Sequence, residues 1–561
     1  MQQTSSAAVL LRPPPSNTPR ACQADRGRIR NDDWVRSRTP FFESPLTGAV
    51  IDRVAEEEAP LLLYCGAGVT IDRTGHSWSA LIQSCFPDRH SKNYPQGPRR
   101  ADIEALATIA PEQLASSLVH TLRAVAAGSK QSLQDTLRRR IKRSLYGTAA
   151  SWQGGELSRN IVQLALFRSL RGRQTTIFTT NYDDHIEQRY REIRGSIETL
   201  KEVGVPGLRV MGINSDDPVY TLDPLRMDPD ASSAHITVVY LHGRVPSAGP
   251  VSWPIVLDEN SYAATAVEVG AALIHGFENH PLSVIVGSSL QDLPLIRALS
   301  STRRNGERLA VLTKGSHAHD LSAEGDSLSL DLLRDRAAEL SVTPVFADFH
   351  GQVAQLASEM TLRTAFPKPR NDAPLSWSYM DRLDGWWREW SSTAGLDPQL
   401  PDKLHEALQS VLPLFDLTPN VDPLSTESER YRLELWVRAF PITPERQLVR
   451  WAASDSRNLD GAKGKCGPLD TASYLAPVRA FVEGRAGAYD IADLEQGRVS
   501  IDRYTSKAFL AVPIRARDCI VGVLTLASSN RIASARMTRA SDTTEKAVAY
   551  LLDLGQRLLD A

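Results

Sequence analysis

The segment LLLYCGAGVT, residues 61 to 70, runs from a block of apolar residues straight into Gly-Ala-Gly. A continuous apolar run of this length is typical of a strand that is buried on both faces of a parallel sheet. Glycine directly after such a strand favours a tight turn into a helix, where the backbone can approach a phosphate and donate N–H groups to it. The same residues also fit a strand–helix turn without a ligand, so both interpretations stay open.

Further apolar runs follow and alternate with helical stretches. They are TTIFTT (175–180), LRVMG (208–212), ITVVYLHG (236–243), LSVIVG (282–287), LAVLT (309–313) and TPVFADF (343–349). Strands that alternate with helices predict an α/β fold with a doubly wound, mostly parallel, Rossmann-like sheet. In such folds a ligand binds beyond the carboxyl ends of the strands.

A long helical segment, about residues 100 to 170, is predicted between the first two strands. In it Leu133, Leu137, Ile141 and Leu145 recur at four-residue spacing, which predicts one apolar helix stripe. The other face carries Arg138, Arg139, Arg140, Lys142 and Arg143. This basic face fits either a surface for a nucleotide or acidic partner or an ordinary solvated helix face.

Composition excludes several classes of protein. The chain has 561 residues with 64 Lys and Arg against 66 Asp and Glu, a formal net charge of −2, so general nucleic-acid binding is not expected. We expect no membrane span and no secretory signal, because no apolar run is long enough. An odd number of scattered cysteines favours a reducing, cytoplasmic location. They are Cys22, Cys65, Cys85, Cys466 and Cys519, with no CxxC pair, so a four-cysteine zinc ribbon is excluded.

The chain is predicted to divide into four parts. Residues 1–30, with RPPPSNTPR, are expected to form a flexible leader. Residues 31–364 form the α/β domain, and the Pro-rich AFPKPRNDAPLSWS begins a linker and helical connector, 365–429. Residues 430–561 predict an α+β domain with an antiparallel sheet and a closing helix. The connector's Trp386, Trp387 and Trp390 are interpreted as helix packing rather than a surface for stacking adenine.

Candidate site residues follow four of the predicted strands, the first group being Gly66, Ala67 and Gly68 after LLLYC. Asn181 and Asp183 come after the second, and His242 comes after ITVVYL. Gly287, Ser288 and Ser289 follow LSVIV. Asp183 or Asp184 also fits a helix cap, and a lone His beside a Gly also fits a structural role. Because all these strand ends meet at one sheet edge, their convergence predicts a dinucleotide site.

The set GAG…TTNYD…LHG…VGSSL resembles the SIR2 (sirtuin) family, in particular its bacterial SIR2-like branch of anti-phage defence proteins. The resemblance covers about residues 61 to 351. It implies that Gly66, Ala67 and Gly68 contact the NAD pyrophosphate, with Thr70 where the family usually has Ser. Asn181 and Asp183 would hold the nicotinamide ribose, and His242 would be the catalytic base. Gly287, Ser288 and Ser289 would surround the adenosine ribose.

Two departures from the deacylase pattern affect the expected activity. The chain lacks the CxxC pairs of a zinc ribbon, and GHSWSAL (75–81) stands in place of GIPDFR. Both favour the defence branch, which implies hydrolysis of NAD to nicotinamide and ADP-ribose without a metal, as an effector of abortive infection. The alternatives are an ADP-ribosyltransferase, a protein deacylase, and a non-catalytic sensor of NAD or ADP-ribose. A homo-oligomer is expected by family analogy alone.

The segment YTSKAFLAVPIRARDCIVGVLTLASS (504–529) resembles the core of a GAF domain. Ser506, Pro513, Gly522 and Leu524 stand where that pattern expects them. The resemblance implies either a pocket for a small-molecule or nucleotide activator that releases the NAD hydrolase, or a module that serves only oligomerisation or partner contact. Candidates for such a pocket are Trp451, Tyr474, Arg485 and Tyr489, each of which also fits a core or surface role.

Overall fold

The structure of the protein is a computed structural model. The structure describes residues 41–87, 100–109, 111–127, 132–147, 155–198, 206–213, 222–227, 236–249, 251, 255–302, 306–314, 323–366, 379–417, 431–438, 447–455, 466–469, 473–491, 506–529, 537 and 542–560. The predicted leader and most of the Pro-rich junction lie outside these ranges. Within them, no helix is long and apolar enough to cross a membrane.

Strands and helices alternate through the first two thirds of the chain. The strands are β1 (Leu61–Cys65), β2 (Thr175–Thr179), β3 (Leu208–Ile213), β4 (Leu222–Met227), β5 (Ile236–Tyr240), β6 (Leu282–Val286), β7 (Glu307–Thr313) and β8 (Thr343–Ala347). The helices are α1 (Pro45–Glu56), α2 (Ala67–Thr74), α3 (Trp78–Cys85), α4 (Arg100–Ile109), α5 (Pro111–Ala127), α6 (Leu133–Tyr146), α7 (Leu157–Leu170), α8 (His185–Glu198), α9 (Glu259–Asn279), α10 (Leu293–Ser301), α11 (Ala323–Glu339) and α12 (Gly351–Ala365).

These strands form one eight-stranded sheet in the order β4-β3-β5-β2-β1-β6-β7-β8. Every neighbouring pair is parallel except β3 and β4, which are antiparallel. The predicted doubly wound α/β sheet is therefore confirmed, with β4 as an edge strand that the sequence pattern did not indicate. From β1 the chain builds outward through β2 on one side and later through β6 on the other. The carboxyl ends of β1 and β6 thus flank the topological switch point, where ligands bind in such folds.

Side chains of the central strands alternate between two helix layers. Leu61, Leu63 and Cys65 belong to the apolar core shared with α1, α7 and α12, whereas Leu62 and Tyr64 face the core shared with α9 and α10. Successive residues of a strand point to opposite faces, so both faces of β1 are apolar and both are covered. This is why LLLYC reads as one unbroken apolar run.

Helices α3 to α6 form a separate apolar cluster above one end of the sheet. Leu137, Ile141 and Leu145 of the predicted α6 stripe are buried in it, beside Tyr182 and Val245 from the segments that follow β2 and β5. The Tyr146 hydroxyl donates to the Val245 carbonyl at 2.8 Å. On the basic side of α6, Arg140 donates to the Cys85 carbonyl at 3.2 Å, which pins α6 to the end of α3.

The C-terminal part contains a second, six-stranded sheet. Its strands are β9 (Tyr431–Arg438), β10 (Gln447–Ala453), β11 (Cys466–Pro468), β12 (Gly487–Asp490), β13 (Ala508–Ala516) and β14 (Cys519–Ser528), in the order β11-β10-β9-β14-β13-β12. All its neighbouring pairs are antiparallel, as predicted. Its helices are α13 (Tyr379–Ser392), α14 (Leu400–Val411), α15 (Ala476–Glu483) and α16 (Asp542–Leu559). Short 3-10 turns are Phe41–Glu43, Ala394–Leu396 and Leu412–Phe415.

Each face of the second sheet has its own cover. Helices α13, α14 and α16 bury one face, whereas α15 covers the other together with Phe349, which comes from the segment after β8. The Phe349 and Phe481 rings meet edge to face at 6.3 Å. The segment that follows β8 thus enters the core of the second sheet and joins the two parts of the chain.

The connector tryptophans lie in this apolar core, as the sequence interpretation expected. Trp386 and Trp390 stack at 5.5 Å on one face of α13. The Trp386 indole donates to the Leu559 carbonyl at 2.7 Å, and the Trp390 indole donates to the Leu558 carbonyl at 2.8 Å. Since the last carbonyls of a helix have no partner within it, these indoles satisfy the end of α16.

We expect Trp386→Phe to lower the free energy of unfolding by about 1–3 kcal/mol, because it leaves a buried carbonyl without its donor. Trp387→Phe is the matched control. Trp387 belongs to the same cluster, and its indole N–H has no acceptor among the described residues. Urea denaturation followed by circular dichroism compares the two variants. Equal destabilisation by both would show that the indole hydrogen bond contributes nothing beyond apolar packing.

Candidate functional site

A cavity of about 920 Å³ lies at the carboxyl ends of β1, β2, β5 and β6. The structure brings every candidate site residue of the sequence analysis to its wall: Gly66, Ala67, Gly68, Thr70, Asn181, Asp183, His242, Gly287, Ser288 and Ser289. Residues of α3, α9 and α10 also contribute to the lining. The volume lies within the range of about 300–1,000 Å³ that small-molecule and cofactor sites span.

The Gly66–Gly68 turn and the Gly287 turn are packed backbone against backbone. A Cβ added to Gly66 would lie 2.6 Å from the Gly287 carbonyl oxygen, and one added to Gly68 would lie 2.6 Å from the Gly287 Cα. Gly287 has φ of 66°, a conformation that side chains rarely adopt. The glycines are therefore required by the contact between the two turns, whatever a ligand needs.

Two N–H groups of the Gly66–Gly68 turn already have acceptors within the protein. The Gly66 N–H donates to the Val286 carbonyl at 2.9 Å, and the Gly68 N–H donates to the Gly287 carbonyl at 2.7 Å. These donors are used in joining β1 to β6, because an enclosed backbone N–H needs an acceptor within the protein. A ligand at this turn would thus meet other donors.

Asn181 supports the first turn from the neighbouring strand end. Its side-chain amide donates to the Gly66 carbonyl at 2.9 Å, and its own N–H donates to the Thr179 hydroxyl at 3.1 Å. No described residue donates to the Asn181 Oδ1, although Asn181 lines the cavity. One end of the amide is thus structural, and the other remains an acceptor for a ligand or a water.

Asp183 organises the local backbone. One carboxylate oxygen accepts a hydrogen bond from the Thr70 hydroxyl of α2, and the other accepts from the His185 N–H at 3.1 Å. The second bond covers a free N–H at the start of α8, which is the capping role left open by the sequence. The first joins α2 to the loop after β2, so Thr70 and Asp183 act together.

Beneath Asp183 lies a buried ion pair between Glu187 of α8 and Arg244, just after His242. Arg244 Nε lies 2.6 Å from Glu187 Oε1. The Tyr240 hydroxyl donates to Glu187 Oε1 at 3.0 Å and to the Asp183 carbonyl at 3.1 Å. Hydrogen bonds to the carboxylate raise the pKa of Arg244 although burial opposes this. This network fixes the segment after β5 relative to α8.

His242 lies in the cavity wall with only 2% of its side chain exposed. Its Nε2 has no hydrogen-bond partner among the described residues. The ring meets Tyr262 of α9 edge to face at 5.0 Å. Burial lowers the pKa of His242, and the negative charge of Asp292 opposes part of that change. The imidazole is therefore held neutral near pH 7, the form that can accept a proton.

Asp292 is a cavity residue to which the sequence analysis gave no role. It stands directly before α10 in the pattern Asp-Leu-Pro, which is typical of a helix cap, yet its side chain caps nothing. Instead, Oδ2 accepts from the Tyr64 hydroxyl at 2.7 Å, and the enclosed Oδ1 has no partner among the described residues. Asp292 therefore contributes a carboxylate to the cavity rather than a cap to α10.

Asp72 and His350 form a second pair that sequence reasoning missed. Asp72 lies in α2 with 1% exposure and accepts from the Leu157 N–H at 2.9 Å. The His350 Nε2, in the loop after β8, lies 3.5 Å from Asp72 Oδ1, and His350 lines the cavity. An Asp within an amphipathic helix gives little sequence signal, because the same pattern is typical of an exposed face.

The candidate ligand residues of the C-terminal part are separated by the structure. Trp451 packs on Trp387 and Trp390 and donates to the Gly395 carbonyl at 2.8 Å, so it belongs to the core. Tyr474 is 46% exposed. Arg485 and Tyr489 line a second cavity, described below. In the ranges given above, no three His, Cys, Asp or Glu side chains form a group that could hold a metal ion.

Comparison with known proteins gives one family match. Residues 175–333 match a family model described as a SIR2-like domain. A matching solved structure, described as "Structural Basis for the Mechanism and Regulation of Sir2 Enzymes", has 12% identity and a TM-score of 0.25 over 57% of this chain and 98% of its own. Curated proteins gave no match. The residues that match the SIR2-like domain model include Asn181, His242 and the Gly287 turn.

Proposed function

We propose that the chain is an NAD hydrolase whose site is the cavity at the switch point of the first sheet. The observation that carries this proposal is the enclosed, unpartnered Nε2 of His242 in that cavity. The SIR2-like match supports NAD as the substrate, since the matched residues include this histidine. The cavity offers the amide oxygen of Asn181 and the hydroxyls of Ser288 and Ser289 as polar partners for ribose.

In the proposed reaction the bond between the nicotinamide nitrogen and ribose C1′ breaks, and its electron pair leaves with nicotinamide. The oxygen of a water molecule forms the new bond to C1′, which gives ADP-ribose. Neutral His242 accepts the proton from that water and later returns it to solvent. Asn181 orients the water or a ribose hydroxyl through its free oxygen. Because the cavity wall is largely shielded from solvent, the local dielectric constant is lower than in water, and this strengthens each of these polar contacts.

The same cavity is compatible with transfer of ADP-ribose to an acceptor other than water. Product analysis separates the two activities: free ADP-ribose identifies hydrolysis, whereas a labelled protein or nucleic acid identifies transfer. Binding of NAD without turnover under every condition would instead identify a sensor. For a deacylase, consumption of NAD would require an acylated lysine peptide.

In the cell we propose that the enzyme depletes NAD as an effector of anti-phage defence and is controlled by its C-terminal, GAF-like part. The cellular role rests on the resemblance to the defence branch. Control by the C-terminal part is supported by packing: a Cβ on Gly351, next to the cavity residue His350, would lie 3.2 Å from the Gly484 Cα. Cellular NAD after phage challenge tests the role, and an unchanged level in protected cells would contradict it.

We expect His242→Ala to abolish NAD consumption, with a fall in rate of about 10²–10⁴-fold or more, because the reaction loses its base. His275→Ala is the matched control, since His275 is an exposed histidine of α9. Chromatography of nicotinamide and ADP-ribose gives the rates, and thermal melting checks folding. Wild-type turnover by folded His242→Ala would refute the assignment. Asn181→Ala is a poorer test, because it also removes the bond to the Gly66 carbonyl.

We expect Asp292→Asn to move the acidic limb of the kcat/KM profile to lower pH. The charge of Asp292 raises the pKa of His242 against the effect of burial, so its removal lowers that pKa further. The neutral base then persists to lower pH. An Asn oxygen can still accept from Tyr64, which preserves the local hydrogen bond.

Glu259→Gln is the control for this pH experiment, because Glu259 is an exposed acidic residue that also lines the cavity. Solvent screens its charge, so the acidic limb should not move. A limb that stays in place in Asp292→Asn, or moves equally in both variants, would contradict the proposed role of Asp292.

A further inference from the structure

A second cavity, of about 320 Å³, lies between the helices of the first sheet and the C-terminal part of the chain. One wall is the turn between α2 and α3, and the other is formed by α15 and β12. The lining residues are Thr74, Gly75, His76, Arg479, Glu483, Arg485, Gly487, Ala488 and Tyr489. His76 also lines the large cavity, so it separates the two spaces.

Two enclosed donors of this wall lack acceptors. The Tyr489 side chain is 8% exposed, and its hydroxyl has no partner among the described residues. Nε of Arg479 is also enclosed and has no acceptor among the described residues. Burial raises the pKa of Tyr489, so the phenol keeps its proton and remains a donor. An enclosed donor without an acceptor costs free energy. We therefore expect a ligand in this cavity to accept hydrogen bonds from the Tyr489 hydroxyl and from Nε of Arg479.

The charges of the lining favour an anion. Arg479 and Arg485 contribute two positive charges, and Glu483 contributes one negative charge. Arg485 Nη2 lies 2.8 Å from Glu483 Oε2, so one positive charge remains in excess. Arginine is the side chain best suited to phosphate and carboxylate, because its planar group donates several hydrogen bonds at once.

We propose that this second cavity is a binding site for a small phosphorylated molecule, whose phosphate lies among Arg479, Arg485 and Tyr489. The volume exceeds what a bare phosphate fills and is near the lower end of the small-molecule range. The site is distinct from the proposed NAD site, since none of these three residues lines the large cavity.

Occupancy would act on the wall shared with the large cavity. The shared turn begins at Gly75, which has φ of 73°, and the His76 N–H donates to the Thr74 hydroxyl at 3.1 Å. Burial and the charge of Arg485 lower the pKa of His76, so the electrostatic influence of the C-terminal part already reaches this turn. A bound phosphate would offset that charge and hold the turn against α15.

Calorimetry of the full chain with inorganic pyrophosphate tests the site. We expect the double variant Arg479→Gln, Arg485→Gln to bind at least about tenfold more weakly than wild type, since two charge-assisted contacts are lost. Arg557→Gln is the matched control, because it removes an exposed positive charge from α16, and binding should persist. Tyr489→Phe removes only the hydroxyl and should weaken binding severalfold without disturbing the fold.

Unchanged pyrophosphate binding in both the double variant and Tyr489→Phe would place the anion elsewhere, the large cavity included, and would overturn the proposal. Absence of pyrophosphate binding to wild type would also overturn it. A second measurement, the effect of pyrophosphate on the KM for NAD, rests on the proposed function. We expect an effect in wild type that the double variant loses. Since calorimetry needs no turnover, failure of the hydrolase proposal and failure of the anion site give different results.

Discussion

The close backbone contact between the Gly66–Gly68 turn and Gly287 is the constraint on which the rest of the site depends. It joins the ends of β1 and β6, the two strands at which the sheet reverses its direction of growth. Side chains at these positions would drive the turns apart and separate the strand ends. Because a parallel sheet gathers its carboxyl ends at one edge, this contact determines where Asn181 and the Ser288 hydroxyl stand relative to each other.

Around this contact the cavity combines an uncharged base with nearby carboxylates. Burial favours neutral His242, whereas Asp292 acts in the opposite direction, and the balance decides the pH range in which the imidazole can accept a proton. Asp183 is held by Thr70 and by the start of α8, so it orders the backbone beneath the ligand space. The Glu187–Arg244 pair below fixes the segment that carries His242. The proposed chemistry thus depends on a rigid support as well as on the residues that face the cavity.

The C-terminal sheet contacts the first part of the chain next to His350, a residue that lines the large cavity. Phe349 enters its core, Gly351 meets Gly484, and Arg382 of α13 pairs with the buried Glu359 of α12. The second cavity lies in the same region and shares His76 with the large one. A change in the packing of α15 would therefore reach the start of α12 through the close backbone contact between Gly484 and Gly351, which deforms little because it is tightly packed.

The sequence by itself determined the parallel sheet, because LLLYC and LSVIV are unbroken apolar runs of strand length. Such runs are typical of strands that are buried on both faces of a parallel sheet. The sequence also indicated that Asn181, His242 and Gly287 share one sheet edge, because the carboxyl ends of parallel strands lie at the same edge of a sheet. Only the tertiary structure decided that the Gly66–Gly68 turn packs against the Gly287 turn and that Asp292 acts on His242. It also decided that Arg485 and Tyr489 line a cavity while Trp451 packs on the core. These facts depend on contacts between residues far apart in the chain, and local patterns carry no information about which distant side chain becomes a neighbour.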